Sequence, residues 1–169
     1  VIFNKVREAN FAEQLKSQVP LFQNENFRLL GCIPWSDELN APRTSDVAQL
    51  LDAQILNAGD IQQRRVQKIL LFARAVHNSV ELLKPGVLVV TPGDRDDIIL
   101  AACLAAMNGV PLAGLLLSGN FAPGPRILEL CRGALQSGLP VLTVNTGSYD
   151  TAHNLRQINR EIPLDDLER

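Results

Sequence analysis

Four short segments of the 169-residue chain combine glycine with small side chains that donate and accept hydrogen bonds: Asn57-Ala58-Gly59-Asp60, Thr91-Pro92-Gly93-Asp94, Ser118-Gly119-Asn120 and Asn145-Thr146-Gly147-Ser148. Glycine lets backbone amides approach a bound group closely, so such segments suit recognition of an anion or polar metabolite rather than bond making. Asp94-Arg95-Asp96-Asp97 adds charge of both signs. Three aspartates around one arginine disfavour a phosphate at 91–97 unless Arg95 or a divalent cation intervenes. The amides around Ser118, Gly119 and Asn120, and around Asn145, Thr146 and Gly147, are the better anion donors. Two blander readings stand beside this one. The same residue types are what turns and helix caps require, and Asp94 and Arg95 also suit a structural hydrogen-bonded pair. No paired nucleophile and base accompanies Asp94 or Asp97, so an independent acid–base enzyme is the weakest reading and no residue is assigned as catalytic.

The elements that would position these segments follow from hydrophobic patterning. Val87 to Val90 is a continuous apolar run of the kind found in strands covered on both faces, stopped by Thr91-Pro92-Gly93. Asp94 then reads as a helix cap, with Asp96 and Asp97 in the first turn where the backbone dipole favours negative charge. The helix continues to Met107 and ends at Asn108-Gly109, and Leu115 to Leu117 form the next buried strand. Strands are also expected at Ala53 to Leu56, Val66 to Phe72 and Val141 to Val144. Helices are expected at Val47 to Leu51 (capped by Ser45-Asp46), Ala75 to Leu83, Pro125 to Gln136 and Asp150 to Arg160. The fold class is α/β: a mostly parallel sheet with helices on both faces, a Rossmann-like three-layer α/β/α arrangement. Crossovers in such a sheet are right-handed, so all four glycine-bearing loops should lie on the rim at the carboxyl ends of the strands.

Upstream, Val1-Ile2-Phe3 reads as a buried strand without an initiator methionine, which makes the chain a fragment of something longer. A helix near Phe11 to Val19 and a strand over Arg28 to Ile33 follow, then a proline-punctuated loop from Pro34 to Thr44 that is the natural domain boundary. Glu161 to Asp166 leaves the fold as a linker.

Composition excludes several function classes. The chain is 46% hydrophobic with a net charge of −2 from interspersed signs, which argues against nucleic acid or an anionic membrane as partner. One Trp, one Tyr and six Phe are too few for a base-stacking platform. No apolar run reaches the roughly 20 residues of a membrane span, so the protein is expected in the cytoplasm. Cys32, Cys103 and Cys131 sit among apolar neighbours and read as reduced core residues. His77 and His153 lack partners at ligand spacing, so no metal site is expected.

Taken in order, a set of segments covers nearly the whole chain: Leu30-Gly31-Cys32-Ile33-Pro34 with Ser36 to Arg43, Asn57 to Ile61 with Arg64-Arg65-Val66, Asp94 to Asp97 with Leu100 to Gly109, Ser118-Gly119-Asn120, Gly138 to Val141 with Val144-Asn145-Thr146, and Ile162 to Asp166. Together they resemble the middle portion of the long form of the bacterial phosphate acetyltransferases, the DRTGG domain, named for an Asp-Arg pair and a later Thr-Gly-Gly. Asp94-Arg95 matches the pair. Ser118-Gly119-Asn120 stands where Thr-Gly-Gly is expected; serine keeps the hydroxyl, and asparagine is tolerated there if the backbone is left-handed.

The resemblance implies a DRTGG domain over 44–162 and the start of a linker over 163–169. Residues 1–43 resemble the final strands of the preceding dethiobiotin-synthetase-like P-loop domain, whose Gly-x4-Gly-Lys-Ser/Thr loop does not occur in this chain. It further implies a parent enzyme transferring acetyl between acetyl-CoA and phosphate, with the catalytic residues outside this chain. For the domain itself it implies regulation and assembly: homo-oligomer contacts, contacts to flanking domains, and sensing of nicotinamide or adenine nucleotides or keto acids, with no built-in cofactor. A ligand-free spacer is the alternative.

Overall fold

The computed structural model describes residues 1–24, 26–159 and 166. The chain forms two compact units, Val1–Leu39 and Asn40–Arg169. The division falls within the proline-flanked loop.

In the first unit, β1 (Ile2–Val6) pairs in parallel with β2 (Gly31–Pro34), and α1 (Phe11–Gln18) lies between them in sequence. Phe3, Phe11, Phe22 and Phe27 gather into an aromatic cluster with centroids 5.4–6.0 Å apart, Phe3 meeting Phe11 and Phe22 edge-on and Phe22 tilted against Phe27. The expected buried strand at Val1-Ile2-Phe3 is corrected here. The strand is present, but Ile2, Leu30 and Ile33 are exposed, because a two-stranded sheet with one helix has too little structure to cover both faces.

Among the described residues the second unit carries five strands: β3 (Gln54–Asn57), β4 (Lys68–Leu71), β5 (Val87–Pro92), β6 (Gly114–Ser118) and β7 (Val141–Thr143), in spatial order β3-β7-β6-β5-β4. The four strands β4 to β7 are mutually parallel. Alternate residues feed two cores. Val87, Val89, Leu115, Leu117 and Val141 pack beneath α3 (Asp96–Met107), α4 (Pro125–Leu130) and α5 (Arg132–Gln136). Leu88, Val90, Leu116, Leu142 and Val144 face Val47 and Ala48 of α2 (Thr44–Leu50), and Leu155 just after α6 (Ser148–Asn154). Most of these side chains are fully buried, each contributing about 1.5–3 kcal/mol of hydrophobic stabilisation. The mostly parallel sheet with helices on both faces is the architecture the patterning predicts.

Four local expectations are corrected. Ala75 to Leu83 is not a helix but two 3₁₀ turns, Val76–Asn78 and Val80–Leu82. Ser79 Oγ donates to the carbonyl of Ala75 at 3.1 Å, the local competition by which serine interrupts helices. The segment 125–136 breaks at Cys131 into two short helices, and 150–160 is a helix only to Asn154, closing in a 3₁₀ turn at Leu155–Gln157; Arg160 lies outside the described residues. Helix α2 begins at Thr44, three residues before the Val47 start expected from a Ser45-Asp46 cap. Asp46 reaches back to accept from the Arg43 amide at 2.7 Å and from its guanidinium at 2.8 and 3.0 Å, while Thr44 Oγ1 donates to the carbonyl of Ala113 at 2.7 Å.

Candidate functional site

Three of the four glycine-bearing loops meet on one rim. The Gly93 amide donates to the carbonyl of Ser118 at 3.0 Å, and the amides of Gly119 and Asn120 donate to the carbonyls of Thr146 and Val144 at 2.8 and 3.1 Å. Ser118 Oγ and Ser148 Oγ are 2.7 Å apart, and Thr146 Oγ1 and Thr151 Oγ1 2.8 Å apart. Asn120 has φ 58, the left-handed backbone that asparagine in place of glycine requires. The loops are thus knitted into one continuous edge.

The fourth loop is not there. Strand β3 runs antiparallel to β7, Gln54 opposite Thr143 and Asn57 opposite Val141, so Asn57-Ala58-Gly59-Asp60 lies at the amino ends of the parallel strands. Its residues hold the fold. The Asn57 side-chain amide donates to the carbonyls of Leu139 and Leu135 at 2.7 and 3.2 Å, and the Asp60 amide donates to the carbonyl of Gly138 at 2.9 Å. Convergence of Gly59 with Gly93, Gly119 and Gly147 is therefore overturned, because a strand's composition does not encode its direction. The turn before β3 takes the rim position instead, with Asp52 at φ 48.

Arg95 also differs from expectation. It is the residue that precedes α3, where Asp94 was expected to cap, and no side-chain cap hydrogen bond forms. Its guanidinium grips Asp97 through Nε and Nη2, both at 2.8 Å, and Nη2 donates to the carbonyl of Arg74 at 3.0 Å. The partner is Asp97, not Asp94, and both Asp97 carboxylate oxygens meet the planar guanidinium fork. The loop after β4, through Arg74, thereby joins the rim, a connection with no signal in composition. Arg95 is occupied in positioning loops and is not a free charge for a ligand.

The hydrogen bond from Arg95 holds the Asp97 carboxyl below its usual range, with burial opposing it. A lowered folded-state value means the stabilisation is present above the ordinary carboxylate value near 3.8 and is lost as pH falls through Asp97's own lower value. The pair is solvent-exposed, so it contributes under about 1 kcal/mol. In Arg95→Ala, the Asp97 carboxyl resonance is expected to titrate at higher pH than in the parent chain; an unmoved titration would show that another group sets it.

The amides of Gly119 and Asn120, expected as anion donors, are engaged with the neighbouring loop. What the rim presents outward is the exposed Asn120, Asn145, Thr146 and Gly147. Gly147 has φ −64 and nothing within 4 Å of an added Cβ, so its openness serves no internal packing. Beside the carboxyl ends of β4 and β5 lies a cavity of about 260 Å³ lined by Ile69, Leu71, Val90, Ala152, Leu155 and Arg156, an apolar floor with one cation. A second, of about 310 Å³, is lined by Leu71, Phe72, Ala73, Arg74, Ser79 and Leu82.

Cys103 and Cys131 are buried, and Cys32 is partly exposed, so the reading of all three as core residues holds for two. Burial, with a hydrogen bond to Cys131, pushes the Cys103 thiol far above its ordinary value, which leaves it unreactive. Among the described residues, no three His, Cys, Asp or Glu side chains gather as a metal site, and no helix is long and apolar enough to cross a membrane.

Comparison with known proteins places this geometry. The chain is 67% identical to a phosphate acetyltransferase of Pseudomonas aeruginosa, with all of this chain and 25% of that protein aligned. It is 42% identical to the phosphate acetyltransferase of Salmonella typhimurium, with 94% of this chain and 23% of that protein aligned. The chain thus spans about a quarter of the length of the curated relatives it matches. A crystal structure of the CBS and DRTGG domains of the regulatory region of Clostridium perfringens pyrophosphatase, complexed with its activator diadenosine tetraphosphate, superposes with a TM-score of 0.56 at 14% identity, covering 94% of this chain and 73% of that one. That likeness is one of fold. The DRTGG domain profile matches residues 46–158, more than half of the sequence, and the chain belongs to the DRTGG domain family.

Proposed function

We propose that this chain is a non-catalytic regulatory and assembly region of a cytoplasmic phosphate acetyltransferase, an enzyme that interconverts acetyl-CoA and phosphate with acetyl phosphate and CoA, and that a nucleotide or small keto acid binds its rim as an effector. Residues 1–43 then belong to a preceding P-loop-type domain, and the acetyltransferase chemistry lies in the flanking parts of the parent. Full-length coverage by phosphate acetyltransferase relatives supports the parentage.

One observation carries the binding site. The chain leaves β6 for α4 on one face of the sheet and leaves β7 for α6 on the other. Where adjacent connections part to opposite faces, a crevice opens outside the carboxyl ends of the two strands, and ligands of open α/β sheets bind there. Here the two loops are joined by the Gly119 and Asn120 amide bonds, and the exposed Asn120, Asn145, Thr146 and Gly147 stand along that junction. Asp94 and Arg95 flank the crevice on the β5 side, with Arg95 in a positioning role. The hydroxyls and carboxamides can recognise ribose or carboxylate oxygens, and the apolar cavity with Arg156 suits a ring bearing an anionic group.

Gly147→Ala provides the test. The backbone at 147 accommodates alanine and its Cβ meets open space, so the melting temperature should stay within a degree or two of the parent's. Thermal shift and calorimetry with NADH, ATP, pyruvate and phosphoenolpyruvate should show at least one compound stabilising the parent chain. The same compound should bind Gly147→Ala at least about tenfold more weakly. If none of them moves the melting temperature of the parent chain, the sensing reading fails and the spacer reading takes its place.

A further inference from the structure

The chain has six Phe, one Trp and one Tyr, and packing accounts for every one of these rings except the last. Phe3, Phe11, Phe22 and Phe27 pack on one another, Trp35 carries the Arg7 guanidinium 4.6 Å above its ring, and Phe72 is buried. The half-exposed Phe121 lies across Gly119, where an added Cβ would meet its ring at 3.0 Å. Tyr149, just beyond Gly147 on the rim, is 81% exposed, and among the described residues its hydroxyl has no hydrogen-bond partner. Its helix gives it company. Tyr149, Ala152 and Arg156 follow the i, i+3, i+7 spacing of one stripe, running along α6 into the turn Leu155–Gln157 that closes it. Ala152 and Arg156 line the 260 Å³ cavity, over a floor of Ile69, Leu71, Val90 and Leu155. Helix α6 packs over β5, while Leu71 of the edge strand β4 stays 46% exposed. No carboxylate lines the cavity, and among the described residues Arg156 enters no ion pair. One groove therefore has an open aromatic ring at its rim end, an apolar floor and an unpaired cation at its far end.

We propose that this groove is a clamp for a nucleoside phosphate, in which Tyr149 stacks on the base and Arg156 binds the phosphate. This rests on the effector site proposed above and narrows its ligand to one class. Length chooses the occupant. Seven residues of helix set the Cα atoms of Tyr149 and Arg156 about 10 Å apart, close to the reach from base to phosphates in a nucleotide. A keto acid of the size of pyruvate is far shorter and can engage one end only. Charge agrees, because a phosphate is repelled by the exposed Asp94 and Asp96 at the start of α3 but meets only a cation in this groove. Stacking needs an aromatic face that is open to solvent, and Tyr149 offers the most open ring of the chain.

Calorimetry of the chain with ATP, AMP, adenosine and pyruvate reads the two ends separately. ATP and AMP should bind, and pyruvate should not displace them. Tyr149→Ala should weaken ATP, AMP and adenosine at least about fivefold, while Tyr149→Phe keeps the parent affinity. Arg156→Ala should weaken ATP and AMP at least about tenfold and leave adenosine unchanged. Both side chains are exposed, so the melting temperatures of the free variants should match the parent's. Nucleotide affinity that is unchanged in either Tyr149→Ala or Arg156→Ala overturns the clamp and leaves the rim as an effector site. Binding of pyruvate without binding of any nucleotide overturns the ligand class alone. No binding of any compound overturns the clamp and the sensing reading together.

Discussion

Gly93→Ala is expected to lower the stability of the chain by about 3 kcal/mol and, with it, to remove the effector binding proposed for the rim. An added Cβ at this buried position would lie 1.8 Å from the carbonyl oxygen of Phe121 and 2.7 Å from its carbonyl carbon. These are backbone atoms, so no side-chain rotation relieves the clash. The 118–121 loop must move, which breaks the 3.0 Å bond from the Gly93 amide to Ser118 and disturbs the bonds from Gly119 and Asn120 to the next loop. Gly124→Ala is the control: it has open space, a φ of −58, and an extended backbone that alanine adopts readily. Urea unfolding of both variants decides the matter. A Gly93→Ala midpoint equal to that of Gly124→Ala would show that the loops are not held as tightly as their packing requires.

The second large effect is electrostatic. Arg65 holds Asp166, 101 residues later, through two hydrogen bonds from its guanidinium, and the Asp166 side chain is only 2% exposed. The hydrogen bond to Asp166 raises the already high Arg65 value further, against the opposing effect of burial. Removing one partner leaves a desolvated charge without its bidentate contact, so Arg65→Ala should cost about 3–5 kcal/mol in urea or thermal unfolding. The paired replacement Arg65→Met with Asp166→Leu should recover most of that loss, because apolar groups of similar volume have no charge to desolvate. A small loss in Arg65→Ala, below about 1 kcal/mol, would show that Asp166 is not anchored through this contact.

Much of the candidate site was legible as sequence, but the part that fails is informative. The loops after β5, β6 and β7 could be located because continuous runs such as Val87 to Val90, ended by Gly and small polar residues, mark strands buried on both faces. Left-handed backbone at Asn120 entered only as the condition under which asparagine could replace the family's glycine, and the structure supplied it. The loop at 57–60 was misplaced for a single reason. Gln54 to Asn57 has strand composition, yet hydrogen-bonding groups along a strand serve either direction equally. What turns β3 around is non-local: the Asn57 side chain on Leu135 and Leu139, and the Asp60 amide on Gly138.

Sequence by itself determined the class of the fold, the positions of the parallel strands, the terminator at Gly109 and the acidic first turn of α3, because each follows from local periodicity, backbone freedom or charge next to a helix end. The tertiary structure alone decided that Arg95 grips Asp97 and the Arg74 carbonyl, that the amides of Gly119 and Asn120 are occupied by the next loop, and that α3 keeps one apolar face in the open. Those outcomes depend on which groups distant in sequence arrive side by side once the sheet closes. Local composition states what a residue can offer, and packing states whether the offer is already taken.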